Sequence, residues 1–114
     1  MVGYDGTTGA RRALDAAVEL MGYGSTLTVV NVEPAGSPGA LTEAHEHLLG
    51  SLVTATYVRR VGDAADELVA AAEELGADLV VVGRRSSAER NGSVPGSVSA
   101  DVVRRATCDV LVVG

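Results

Sequence analysis

Five short apolar runs, each separated from the next by a segment of helical periodicity, restrict this 114-residue chain more than any other feature. The runs at 1–4, 27–32, 52–58, 79–82 and 110–113 are rich in Val, Leu and Thr and read as strands. Between them, Ala10, Ala13, Leu14, Ala17, Val18 and Met21 fall at helical spacing, as do Ala65, Leu68, Val69, Ala72 and Leu75, and later Val98, Val102, Val103 and Ala106. A shorter helix is expected over 43–49, with Thr42 as its cap. Thr7 or Thr8 can cap the first helix and Asp63 the third; Gly22, Gly24 and Gly76 are stop signals. Strands alternating with helices at this spacing demand parallel βαβ units. The expected fold is therefore α/β, a doubly wound five-stranded parallel sheet with helices on both faces. Thr54, Thr56, Arg59 and Arg60 mark the third strand as an edge. Periodicity leaves the strand order open.

Composition agrees with one domain whose core is Val, Leu and Ala, since there are three Tyr and neither Phe nor Trp. A net charge of −6 argues against a nucleic-acid surface. All nine basic residues are Arg, so Schiff-base chemistry and a P-loop lysine are excluded. Cys108 stands alone, forms no internal disulfide, and is expected to be a small core residue. No charged leader and no run of eighteen apolar residues is present, so a soluble cytoplasmic protein with no membrane partner is expected. Asn91-Gly92 then reads as a turn rather than part of a glycosylation site.

Chemistry concentrates after the fourth strand. The strand ends at Gly83, and a loop with Arg84, Arg85, Ser86, Ser87, Arg90, Asn91 and Gly92 follows. Gly96 and Ser97 then open a helix. Loop amides, a helix N-terminus and local Arg suit an anion. About thirteen unstructured residues in a small domain favour a functional loop over a plain connection. In a doubly wound sheet, ligands sit beyond the carboxyl ends of the strands, which here are Asp5, Val32-Glu33, Gly62-Asp63 and Gly83. Asp5 precedes Gly6 and equally suits an ordinary turn. His45 and His47 flank Glu46, yet positions two apart do not share a helix face; they are expected to be solvated, not metal ligands. No nucleophile–base arrangement or carboxylate pair is apparent, so no catalytic residue is assigned.

The segments V-G-Y-D-G-T, V-V-N-V, V-V-V-G followed by G-S-V-S, and A-T-C-D-V-L-V-V resemble the universal stress protein family over nearly the whole chain. Gly83, Ser86 and Gly96-Ser97 match the spacing of the G-x2-G-x9-G-[ST] motif of its ATP-binding members. The resemblance implies strand order 3-2-1-4-5 and ATP, or alternatively AMP, at the switch point, with a divalent cation such as Mg2+ held only through the phosphates. Asp5 would accept hydrogen bonds from the ribose. Val32 backbone would meet the adenine, with Gly3 and Tyr4 on the same wall. Val82 and Gly83 would pass under the sugar, while Arg85, Ser86, Gly96, Ser97, Val98 and Ser99 would hold the phosphates. Dimerisation through Val110, Leu111, Val112 and Val113 is also implied.

Three departures stand out. Ser86 replaces the motif's second glycine, and a Cβ there would cost roughly 1–2 kcal/mol if the backbone needs positive φ. The first strand reads as clipped, and the segment between the second and third strands is short. The function expected from the whole is a homodimeric nucleotide-binding stress-response module with little or no turnover. The alternative is the same fold as a dimerisation module with a degenerated site.

Overall fold

The computed structural model describes residues 1–21, 24–84 and 98–114. In chain order the elements are β1 (Val2–Gly3), α1 (Thr8–Leu20), β2 (Thr26–Glu33), α2 (Ala40–Leu48), β3 (Thr54–Val61), α3 (Ala64–Leu75), β4 (Leu79–Gly83), α4 (Val98–Arg105) and β5 (Asp109–Val113). All pairings are parallel, and the order is β3-β2-β1-β4-β5. The expected doubly wound sheet and its strand order are both present.

Strand alternation divides the core into two layers. Val2, Tyr4, Leu27, Val29 and Val81 face one way and pack with Ala10, Ala13, Leu14 and Ala17 of α1 and Ala40, Ala44 and Leu48 of α2. Val30, Val32, Val80 and Val82 face the other way, against Ala65, Leu68, Ala71 and Ala72 of α3 and Val102 of α4. Alanine-lined helices can sit close on a β-branched sheet, which is how a chain without Phe or Trp closes its core. Cys108 is free, half-buried and packed against the second layer.

Caps form where side-chain chemistry allows. Thr7 Oγ1 accepts from the Ala10 amide, and an Asp63 carboxylate oxygen accepts from the Asp66 amide. Gly76 ends α3 in the left-handed region, φ 62°. α1 ends at Met21, whose amide bonds the Val18 carbonyl; Gly22 lies outside the described residues. Thr42 is no cap: α2 starts three residues earlier than expected, behind Gly39, which makes no side-chain cap bond. Burial of Ala40 in the first layer outweighs the capping preference of Thr42.

β3 begins two residues later than expected and runs through both arginines to Val61, following its register from Thr26↔Thr54 to Glu33↔Val61. Ion pairs make this possible on an edge. Arg59 meets Glu33, and Arg60 meets Glu67 and Glu74. Two residues expected in helical stripes are exposed instead, Leu75 and Val103; α3 closes its face with Ala71, and α4 with Val102 alone of its valines fully buried.

Candidate functional site

The strand order creates one topological switch point. From β1 the chain turns at Asp5 into α1 on the first face, whereas from β4 it departs toward α4 on the second. Neighbouring strands whose continuations part in this way leave a crevice beyond their carboxyl ends. A cleft open to solvent lies there, floored by Val30, Val32, Leu68 and Val82. Its rim carries Asp5, Thr7, Ala35, Gly36, Val98 and Ser99. Gly3, Tyr4 and Gly83 line it as well.

Eight of the twelve residues singled out in the sequence therefore border one space: Gly3, Tyr4, Asp5, Val32, Val82, Gly83, Val98 and Ser99. Arg85, Ser86, Gly96 and Ser97 lie outside the described residues. Arg84 is described, and its amide bonds the Val113 carbonyl at 2.8 Å while its guanidinium lies against Gly114. It is thus engaged with the end of β5.

Two glycines bring α1 up against β4. A Cβ built on Gly83 would stand 2.3 Å from the Gly9 carbonyl oxygen, and one on Gly9 would stand 2.8 Å from that of Arg84. The first turn of α1 is therefore seated backbone to backbone on the end of β4, with no side chain between them. Gly9 has this role because of a tertiary approach that its local sequence does not announce.

Asp5 is held by its own turn. Its Oδ1 accepts from the Thr7 amide at 3.0 Å and the Thr7 hydroxyl at 2.6 Å. The opposite rim is a loop folded back over the end of β2. Gly36 donates its amide to the Val32 carbonyl at 2.7 Å, Ser37 donates to the Asp5 carbonyl at 3.3 Å, and buried Asn31 donates through Nδ2 to the Ser37 carbonyl. One lone pair of the Val32 carbonyl is already used by this turn.

Tyr4 touches the cleft but sends its ring into the first core layer, where it is 1% exposed. Its hydroxyl donates to Glu43 Oε1 at 2.8 Å. Burial first, and donation to that carboxylate second, push the phenol up to about 12. A folded-state value above the ordinary one for Tyr stabilises the protonated, folded form below pH 10, and this contribution is lost as the pH rises from 10 to 12. Thermal melts over that range should show a loss on the order of 2 kcal/mol that is absent in Tyr4→Phe. Tyr57 is shifted upward by burial in the same sense, so the comparison with Tyr4→Phe isolates the Tyr4 part.

The histidines play no part in the cleft. His47 Nε2 lies 2.6 Å from Asp15 Oδ1, and the His45 ring meets Tyr57 edge-on at 5.5 Å. Among the described residues, no group of three His, Cys, Asp or Glu could hold a metal ion. No helix among them is long and apolar enough to cross a membrane. Sequence reasoning missed Thr7, Ala10, Val30, Ala35, Gly36, Ala64 and Leu68 as cleft residues. Leu68 was legible only as helix stripe, and Gly36 only as part of a Gly/Pro loop.

Chains of known family share this fold. A universal stress protein of Mycobacterium tuberculosis is 31% identical, the match covering 99% of this chain and 93% of that one. The crystal structure of a universal stress protein in complex with cAMP superposes with a TM-score of 0.80 at 30% identity, covering 98% and 92% of the two chains. A universal stress protein family member from Arabidopsis thaliana with AMP bound shares the fold, with a TM-score of 0.77 at 19% identity over 98% and 89%. The sequence profile of the Universal stress protein family matches residues 39–114. With the strand order, the switch-point cleft and these likenesses in agreement, the chain belongs to the universal stress protein family.

Proposed function

We propose that this chain binds an adenine nucleotide in the switch-point cleft and acts through binding rather than turnover. The observation that carries the reading is the convergence of the Asp5 turn and Gly83 on one cleft with an apolar floor. Such a floor accepts a purine ring, and a carboxylate at its edge accepts hydrogen bonds from ribose hydroxyls. The relative crystallised with cAMP supports the same ligand class. In this reading Asp5 meets the ribose, Gly3, Tyr4 and Val32 border the base, and Val82 and Gly83 underlie the sugar. Val98 and Ser99 lie toward the phosphates. The base reaches the remaining lone pair of the Val32 carbonyl, or its amide. The proposed phosphate contacts of Arg85, Ser86, Gly96 and Ser97 rest on sequence alone. ATP, with Mg2+ brought on its phosphates, and AMP are the candidates. Calorimetric titration tests the reading. Heat of binding with a dissociation constant from low micromolar to millimolar is expected for at least one of ATP, AMP and cAMP. No heat from any of them at millimolar concentration would leave only the fold.

We further propose that β5 is the seam of a homodimer. It is an edge of the sheet, and Val112 on it is 36% exposed. An apolar edge strand is a ready template for pairing, whereas the other edge, β3, carries Arg and Thr. Val112→Asp should shift sedimentation from dimer to monomer at micromolar concentration. A variant that sediments like the native chain would put the seam elsewhere.

A further inference from the structure

We infer that Glu43, on α2 and outside the cleft, is a positioning residue for the turn that carries Asp5. One of its oxygens, Oε1, accepts from donors on two other segments: Tyr4 Oη at 2.8 Å and Arg11 Nη1 at 2.6 Å. The same Nη1 donates to the Gly6 carbonyl at 3.2 Å, and Nη2 reaches Thr8 Oγ1 at 3.4 Å. A single carboxylate oxygen thereby ties down the residue before Asp5 and, through Arg11, the residue after it.

The turn has little room for another shape. Gly6 has φ 88°, and a Cβ there would stand 2.9 Å from Ser37 Oγ. Donation from Tyr4 first, and from Arg11 as well, holds the Glu43 carboxyl below its ordinary range, so the acceptor is charged at neutral pH. The side chains of Arg11 and Glu43 are 41% and 43% exposed. A pair so open to solvent contributes little to global stability. Its effect therefore falls on local geometry: it decides where the Asp5 carboxylate points. For its ligand the inference rests on the nucleotide reading above; for the turn itself it does not.

The test uses the full chain carrying Glu43→Ala or Glu43→Gln. The Thr7 amide, which is bonded to Asp5, reports the turn, and the Leu14 amide in the core of α1 is the internal reference. Glu43→Ala should speed Thr7 hydrogen exchange by about tenfold relative to Leu14, with Glu43→Gln, which keeps an acceptor, close to native. Should Glu43→Ala fail to fold, Arg11→Met removes the link between Glu43 and Gly6 and should speed Thr7 in the same way. Unchanged Thr7 exchange in the folded variant overturns the inference.

Binding gives a second readout. Glu43→Ala should weaken AMP several-fold and leave 2′,3′-dideoxy-AMP unaffected, because the turn acts through the ribose hydroxyls. Equal weakening of both would break the link to Asp5. A native chain that ignores AMP while Thr7 responds would sink the nucleotide reading and leave the positioning role standing. AMP binding with an unresponsive Thr7 would do the reverse.

Discussion

Gly83→Ala is expected to destabilise the protein by about 3 kcal/mol, at the upper end of what overpacking costs. The added methyl would stand 2.3 Å from the carbonyl oxygen of Gly9, 2.4 Å from its carbonyl carbon and 2.9 Å from the Ala10 amide nitrogen. All three are backbone atoms of α1, so no rotamer change relieves the clash. Either α1 lifts from β4 or the end of β4 bends away. Lifting α1 would disturb Ala10, Ala13, Leu14 and Ala17, all buried in the first layer. A melting temperature lower by roughly 10 °C or more should accompany the change. Nucleotide affinity should also fall, since both sides of the crevice move. A native-like melt would mean that the approach of Gly9 to Gly83 is looser than described. Gly9→Ala should err in the same direction with a smaller effect, because its nearest contact is 2.8 Å.

The second large effect is expected at Gly36. A Cβ there would fall 1.8 Å from Asn31 Oδ1 and 3.2 Å from the Val32 carbonyl oxygen. Asn31 is 1% exposed and tethered by its bond to the Ser37 carbonyl, so swinging aside would break that bond inside the fold. Gly36→Ala must therefore expel the amide or unfold the loop, at a cost of about 2 kcal/mol for a buried polar group losing its partner. The loop is one wall of the cleft, so AMP affinity should drop tenfold or more. A second substitution separates clash from strain. Asn31→Ala removes both the obstructing oxygen, which is buried with no hydrogen-bond partner among the described residues, and the tether. The double variant Asn31→Ala/Gly36→Ala should therefore be more stable than the sum of the single effects implies, as expected for residues in contact. Strict additivity in chemical denaturation would rule out this account of the loop.

These two glycines show what was and was not legible in the sequence. The β-branched runs and alanine stripes announced the strands, helices and layers, because periodicity follows directly from which face is buried. Strand order needed the family resemblance, since β1 and β4 pair across most of the chain and no local pattern reports that. Asp5 and Gly83 could be placed at strand ends, which in this topology places them in the cleft. Gly9 and Gly36 could not be told from ordinary turn glycines, because what forbids a Cβ at each is an atom of a different segment. Asn31 read as one position in an apolar strand, V-V-N-V, although it latches the loop above it. Thr42 misled for a related reason: capping preference is local, while the burial of Ala40 that sets the start of α2 is tertiary.

The central claim is that the cleft between the ends of β1 and β4 is the ligand site, and an NMR titration of the labelled native chain with AMP tests it most directly. Amide shifts should concentrate at Gly3, Asp5, Val32, Gly36, Gly83 and Ser99 and saturate together. A separate hollow at the far end of the sheet, lined by Leu20, Met21, Leu75 and Gly76, should stay silent. Shifts gathered at that far hollow, or none at saturating nucleotide, would contradict the account.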